Sequence, residues 1–193
     1  KIDENAFELA VDTILNARDI YIIGIRSCAP LANFMAFYFT LMFEHVHLIQ
    51  TSSSSEIFEQ MVRIGKEDVI IGISFPRYSM RTLKAMEFAN NRSAKVITLT
   101  DSVHSPMNLY SSCNLIAESD MASIVDSLVA PLSVINALIV ALCMKKQGEV
   151  ATTLEMLEEI WDEYQVYEND EINFIDDSIK MRYAKIGDTD FYE

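Results

Sequence analysis

Apolar residues in this chain fall into short continuous runs that alternate with stretches of helical periodicity. Ile20–Ile25, Val46–Gln50, Asp68–Ser74, Lys95–Thr100 and Asn114–Ala117 read as strands, short and rich in aliphatic side chains. Phe7, Ala10, Val11 and Ile14 recur at helical spacing and predict an amphipathic entry helix over residues 3–18. Further helices are predicted over Ala29–Glu44, Glu56–Ile64, Ser79–Asn91, Ala122–Lys146 and Ala151–Tyr167. Pro30 suits a first helical turn, Gly65 a helix end, and Gly148 a stop after the long apolar helix. Strands and helices alternating at this spacing predict right-handed βαβ units. The fold class is therefore α/β, a five-stranded doubly wound parallel sheet flanked by helices.

Two segments are too apolar for an ordinary surface helix. Ala29–Glu44 is nearly all aliphatic or aromatic, which predicts burial on two sides, a second subunit being one way to supply it. Ser127–Met144 carries no charge and approaches the length of a membrane span. Pro131, Ser133 and Asn136 interrupt it and Asp126 and Lys145 flank it, so burial in a core or interface is expected and a membrane is not. In the last helix Val150, Leu154, Leu157, Trp161 and Tyr164 form a docking stripe opposite Glu155, Glu158, Glu159, Asp162 and Glu163. Beyond it the pattern dissolves, so residues 1–168 read as the domain and 169–193 as an acidic C-terminal extension.

The first three strands share a feature: each stops at hydroxyl side chains. The stops are Ile25-Arg26-Ser27, Thr51-Ser52-Ser53-Ser54-Ser55 and Ser74-Phe75-Pro76-Arg77-Tyr78-Ser79. In a parallel sheet all three loops lie at the carboxyl edge, where ligands bind. Helix N-termini and serine hydroxyls converging there suit an anion. The candidate ligand-binding residues are Arg26, Ser27, Ser52, Ser53, Ser54, Ser74, Arg77 and Ser79. Ordinary N-capping also explains Ser55 and Ser79, at about 1 kcal/mol each. Arg26, Arg77 and Arg81 fall in or just after these loops, where a cation opposes the helix dipole unless an anion is near.

Composition narrows the function further. A net charge of −14 on 193 residues argues against this surface gripping nucleic acid, yet allows a locally positive pocket. With five glycines, at 24, 65, 72, 148 and 187, neither a Walker loop nor a dinucleotide fingerprint can be written, and no cofactor is expected. His45, His47 and His104 do not suggest a metal site, and no nucleophile elbow accompanies a Ser-His-Asp order. Cys28, Cys113 and Cys143 form no close pair, which fits buried thiols and a cytoplasmic location. A start at Lys1 fits a piece of a longer protein.

Several phrases, in order and spacing, resemble a known family. They are Ile-Gly-Ile-Arg-Ser at 23–27 with Ala29, Ile-Gly-Ile-Ser-Phe-Pro-Arg-Tyr-Ser at 71–79, and Lys95-Val96-Ile97-Thr98-Leu99-Thr100-Asp101-Ser102. Ser105-Pro106, the stretch Ala130–Leu138, and Tyr164-Gln165-Val166-Tyr167 continue them. Residues Ile20–Val166 resemble a SIS (sugar isomerase) domain, in the version carried by RpiR/MurR-type bacterial transcriptional regulators. The resemblance implies a SIS-type, flavodoxin-like three-layer sandwich and a homodimer or tetramer. It also implies a phosphosugar or related anionic carbohydrate effector, and DNA contact only through an N-terminal helix-turn-helix domain absent from this chain. Many SIS domains carry Ser-x-Ser-Gly-x-Thr after the third strand. Here Ser74 and Ser79 keep the first and last positions, Pro76 replaces the middle Ser, and Arg77 replaces the Gly. Pro76 removes a hydroxyl and a backbone donor, while Arg77 offers a bidentate fork. The alternative is a phosphosugar aldose–ketose isomerase, which needs a positioned base; Glu56, Asp101 and His104 are the nearby candidates. As an effector sensor the chain is not an enzyme and has no catalytic residues.

Overall fold

A computed structural model of the chain describes residues 3–51, 53–118 and 127–167. Five strands, β1 (Ile20–Gly24), β2 (Val46–Ile49), β3 (Val69–Ile73), β4 (Lys95–Thr100) and β5 (Cys113–Ile116), form one parallel sheet in the order β2-β1-β3-β4-β5. Among the described residues six α-helices accompany them: α1 (Glu4–Leu15), α2 (Ala29–Thr40), α3 (Ser54–Gln60), α4 (Met80–Asn91), α5 (Val129–Lys145) and α6 (Gln147–Glu163). Every residue of β1 and β3 is buried, as expected for central strands covered on both faces.

Two cores hold the layers together. On one face α1, α2 and α5 pack through Ile14, Met35, Phe39, Ile135 and Leu138 onto Ile22, Ile71 and Leu115. On the other, α3 and α4 press Ile57, Met61, Ala85 and Met86 onto Ile23, Ile70 and Val96. The strand order reverses between β1 and β3, since β1 leads outward to β2 and β3 leads the other way to β5. That reversal leaves a crevice at their carboxyl ends, because the following helices depart to opposite faces. Register fixes its floor. Gly24 is level with Ile73, so Ile25 and Ser74 leave the sheet side by side.

Gly24 makes the crevice possible. A Cβ there would stand 2.6 Å from the Cys28 carbonyl oxygen and 3.1 Å from the Ala32 Cβ. The loop after β1 and the start of α2 therefore approach the sheet closely only over glycine.

Most predicted elements appear, with shifted ends. α2 stops at Thr40, α3 runs Ser54–Gln60, and Met61 to Ile64 finish in turns before Gly65. Gly65 does not cap a helix; its N–H is held by Asp68 Oδ2 at 2.7 Å. Gly148 is no stop either, since α5 ends at Lys145 and Gly148 falls in the first turn of α6. The predicted start of the long helix at 122–126, the extension 169–193 and Ser52 lie outside the described residues.

α2 is not enclosed all round within this chain. It buries Leu31, Ala32, Met35, Ala36 and Phe39 and leaves Phe37 62% exposed. α5 buries Val134, Ile135, Leu138, Ile139 and Leu142 and leaves Val140 and Met144 exposed. Among the described residues no single helix is long and apolar enough to cross a membrane. The chain divides into two compact units, 1–150 and 151–193. No residue of α6 is buried.

At the amino edge of the sheet, Arg18 bridges Asp19 at 2.8 Å and Asp68 at 2.9 Å, and His47 Nε2 lies 2.7 Å from Asp19. Burial alone would raise the Asp19 pKa; hydrogen bonds to His47 and Arg18 outweigh it and hold the carboxyl below its ordinary value. A lowered folded-state pKa stabilises the fold above the unfolded carboxylate value of about 4, and this is lost as pH falls through the folded value. Asp19→Asn is expected to flatten the acid limb of a stability-versus-pH curve. An unchanged limb in urea titrations would refute the link.

Candidate functional site

The loops after β1 and β3 enclose a cleft of about 550 Å³, within the range of small-molecule sites. Arg26, Ser27 and Cys28 line it from the first loop, and the stretch from Ser74 to Arg81 lines it from the second.

The first loop is a single 3-10 turn, Arg26–Cys28, running directly into α2 with Pro30 in the first turn. The second loop is braced from within. Ser74, almost fully buried, accepts a hydrogen bond from the Ser79 N–H at 3.0 Å. Ser79 in turn caps α4, accepting from the Thr82 N–H at 3.3 Å. Both hydroxyls therefore accept from the backbone and keep an O–H to donate. Tyr78 donates to Asp101 Oδ1 at 2.8 Å, tying the loop to the end of β4. Burial, then that hydrogen bond, raises the Tyr78 pKa, so the hydroxyl stays a donor at neutral pH.

Both loop arginines have left-handed backbones, Arg26 at φ 59° and Arg77 at φ 64°. Only Ser93 and Gln165 share that conformation among the described non-glycine residues. The left-handed region costs an L-residue roughly 1–2 kcal/mol and is glycine's natural territory. Strain of this kind persists where surrounding structure enforces it, commonly at binding sites. Here it sets two guanidinium groups on the wall of one cleft.

The loop after β2 stands apart. Gln50 and Thr51 line an adjoining hollow with Asn33, which shares Ile25 and Arg26 with the main cleft. Ser53 lines neither; its hydroxyl pairs with Ser55 at 3.0 Å, and it stands at the α3 N-cap without a side-chain cap bond. Ser55, expected as a cap, lies inside α3. Ser54 lines a third hollow, beside Arg81 and Lys84. The structure thus brings together Arg26, Ser27, Ser74, Arg77 and Ser79, and sets Ser53 and Ser54 to the side.

No carboxylate or histidine lines the main cleft among the described residues. Glu56 accepts from Thr51, Asp101 accepts from Tyr78 and Thr100, and His104 is exposed in the loop after β4. No cluster of three or more metal-ligating side chains occurs among the described residues. Burial pushes the Cys113 thiol up to about 11, which leaves it protonated and unreactive.

A model of the SIS domain family matches residues 13–141, two thirds of the chain. The chain belongs to the SIS domain family. This SIS domain is 27% identical over 168 residues to an uncharacterized HTH-type transcriptional regulator of Caldanaerobacter subterraneus subsp. tengcongensis. The match covers 81% of the chain and 57% of the regulator, so the chain spans little more than half that relative's length. Its fold is similar to the sugar isomerase domain of an RpiR transcription factor from Sphaerobacter thermophilus (TM-score 0.77, 22% identity, 82% and 88% of the two chains). It is also similar to the NanR protein of Vibrio vulnificus complexed with ManNAc-6P (TM-score 0.75, 18% identity, 87% and 63%). A more distant match is a Methanococcus jannaschii protein with an inferred function of 3-hexulose-6-phosphate isomerase (TM-score 0.62, 15% identity, 78% and 84%).

Sequence reasoning passed over Tyr78, Asn33, Gln50 and Thr51 as site residues. The signal for Tyr78 was its place inside the loop motif of this SIS domain. Asn33 lies a turn inside α2 and meets Gln50 only through the pairing of β1 with β2; its Oδ1 accepts from Gln50 Nε2 at 2.8 Å.

Proposed function

We propose that this SIS domain is the effector-sensing part of a transcriptional regulator. A phosphosugar or related anionic carbohydrate metabolite binds in the cleft between the loops after β1 and β3. Its anionic group sits against Arg26, Ser27, Arg77 and Ser79, with Ser74 bracing the loop. Binding shifts a homodimer or tetramer between two arrangements, and a helix-turn-helix domain outside this chain converts that shift into altered DNA affinity. The regulator works in the cytoplasm and needs no cofactor.

The observation that carries this reading is the concentration of arginine in one cleft of a chain whose net charge is −14. A site that gathers cations against the prevailing field is built for a negative guest. The similarity to regulators, one of them complexed with ManNAc-6P, supports the same class of ligand. The exposed Phe37, Val140 and Met144 support self-association, since such side chains gain from being covered.

Isomerisation is the weaker reading. It needs a base within hydrogen-bond reach of the reacting carbons, and Glu56, Asp101 and His104 do not line the cleft. Calorimetry with a panel of sugar phosphates, including N-acetylmannosamine 6-phosphate, against their unphosphorylated counterparts tests the proposal. Phosphorylated members are expected to bind and the others not. Binding that ignores phosphorylation would overturn it, and turnover of about 1 per second or faster on any member would favour the enzyme.

A further inference from the structure

Arg26, Arg77 and Arg81 all line the main cleft, and none forms an ion pair or hydrogen bond among the described residues. Of the other described cations four have side-chain partners, and Arg63, Lys66, Lys95 and Lys145, which have none, do not line this cleft. Arg18 holds three acids, Arg92 donates to the Val62 carbonyl and covers the Phe88 ring, and Lys84 and Lys146 pair with Glu87 and Glu149. With 29 acidic residues the chain has carboxylates in plenty, and none of those described is spent on this wall.

Charge arithmetic then bears on the guest. Three guanidinium groups bring one positive charge each, and the N-termini of α2 and α4 add about half a positive charge each. A phosphate monoester brings about −1.5 to −2 at neutral pH. One such group leaves more than a full positive charge unanswered on the wall of the cleft.

We propose that the effector carries two anionic groups, a phosphate and a second carboxylate or phosphate across a short polyol backbone, as in a phosphorylated sugar acid. One anion lies at the α4 end, on Arg77, Ser79 and the first turn. The other is met by Arg26 from the opposite loop, with Arg81 closing the rim. This rests on the anion-binding reading above and names its ligand class.

Calorimetry on the full chain with matched probe pairs tests it. The pairs are glycerol 3-phosphate against 3-phosphoglycerate, sorbitol 6-phosphate against 6-phosphogluconate, and fructose 6-phosphate against fructose 1,6-bisphosphate. The first two isolate a carboxylate and the third a second phosphate. In at least one pair the doubly anionic member is expected to bind about tenfold tighter, the worth of one more charge-assisted contact. Arg26→Gln is expected to pull that ratio toward one, with folding checked by circular dichroism. General attraction of polyanions does not explain such a preference, because the domain as a whole repels them. If monophosphates bind and every pair is matched, the second anion is refuted while the anion-binding reading stands. If the preference survives both Arg26→Gln and Arg81→Gln, the arginine assignment fails. If no phosphate-bearing probe binds, both readings fall.

Discussion

Replacing Gly24 by Val is expected to lower stability by about 3 kcal/mol, at the upper end of overpacking costs, and to weaken anion binding with it. A Cβ at this position meets the Cys28 carbonyl at 2.6 Å, and that atom is backbone, so no rotamer change relieves the clash. The 3-10 turn would have to lift off β1, carrying Arg26 and Ser27 away from the loop that holds Arg77. Gly65→Ala is the control, since nothing lies within 4 Å of a Cβ built there. It is expected to change stability by less than about 0.5 kcal/mol. Urea denaturation followed by circular dichroism measures both. A Gly24→Val chain as stable as the parent would show that the two loops are not held together by this close approach.

The second large effect separates binding from folding. Arg77→Gln is expected to weaken phosphosugar binding by roughly 10- to 100-fold, the loss of a charge-assisted bidentate contact. Arg77→Gly should lose binding to a similar degree and gain about 1 kcal/mol of stability, because glycine occupies φ 64° without the steric cost arginine bears. Opposite signs on the two measurements distinguish a residue kept for its ligand from one kept for the fold. Arg77→Gly that binds the tightest phosphosugar of the panel as well as the parent would remove Arg77 from the site. Equal stability of the two chains would remove the strain argument.

Much of the scaffold was legible before any coordinates. Lys95–Thr100 is strand from end to end as read, since a short run rich in β-branched residues between polar flanks leaves few alternatives. Ser79 caps α4 as read, its side chain reaching a free N–H of the first turn. Ends governed by longer-range partners were harder to place. Gly65 looked like a helix stop, yet its N–H belongs to Asp68, and α3 ends four residues sooner than expected. Ser53 and Ser54 looked like part of a third wall of the cleft. Because β2 is the edge strand, its loop opens on hollows beside the main cleft instead of into it.

The order of apolar runs and polar breaks determined the α/β class, the parallel sheet and the edge at which the polar loops gather, because periodicity and chain connectivity are local properties. The arginine-bearing loops were visible as residue types for the same reason. Only the tertiary structure decided which of the loops meet. Strand order is a matter of pairing between distant segments, and it places β1 beside β3 with β2 outside. The left-handed turns at Arg26 and Arg77 were decided there too, since a local sequence disfavours them and only packing around the loops holds them in place.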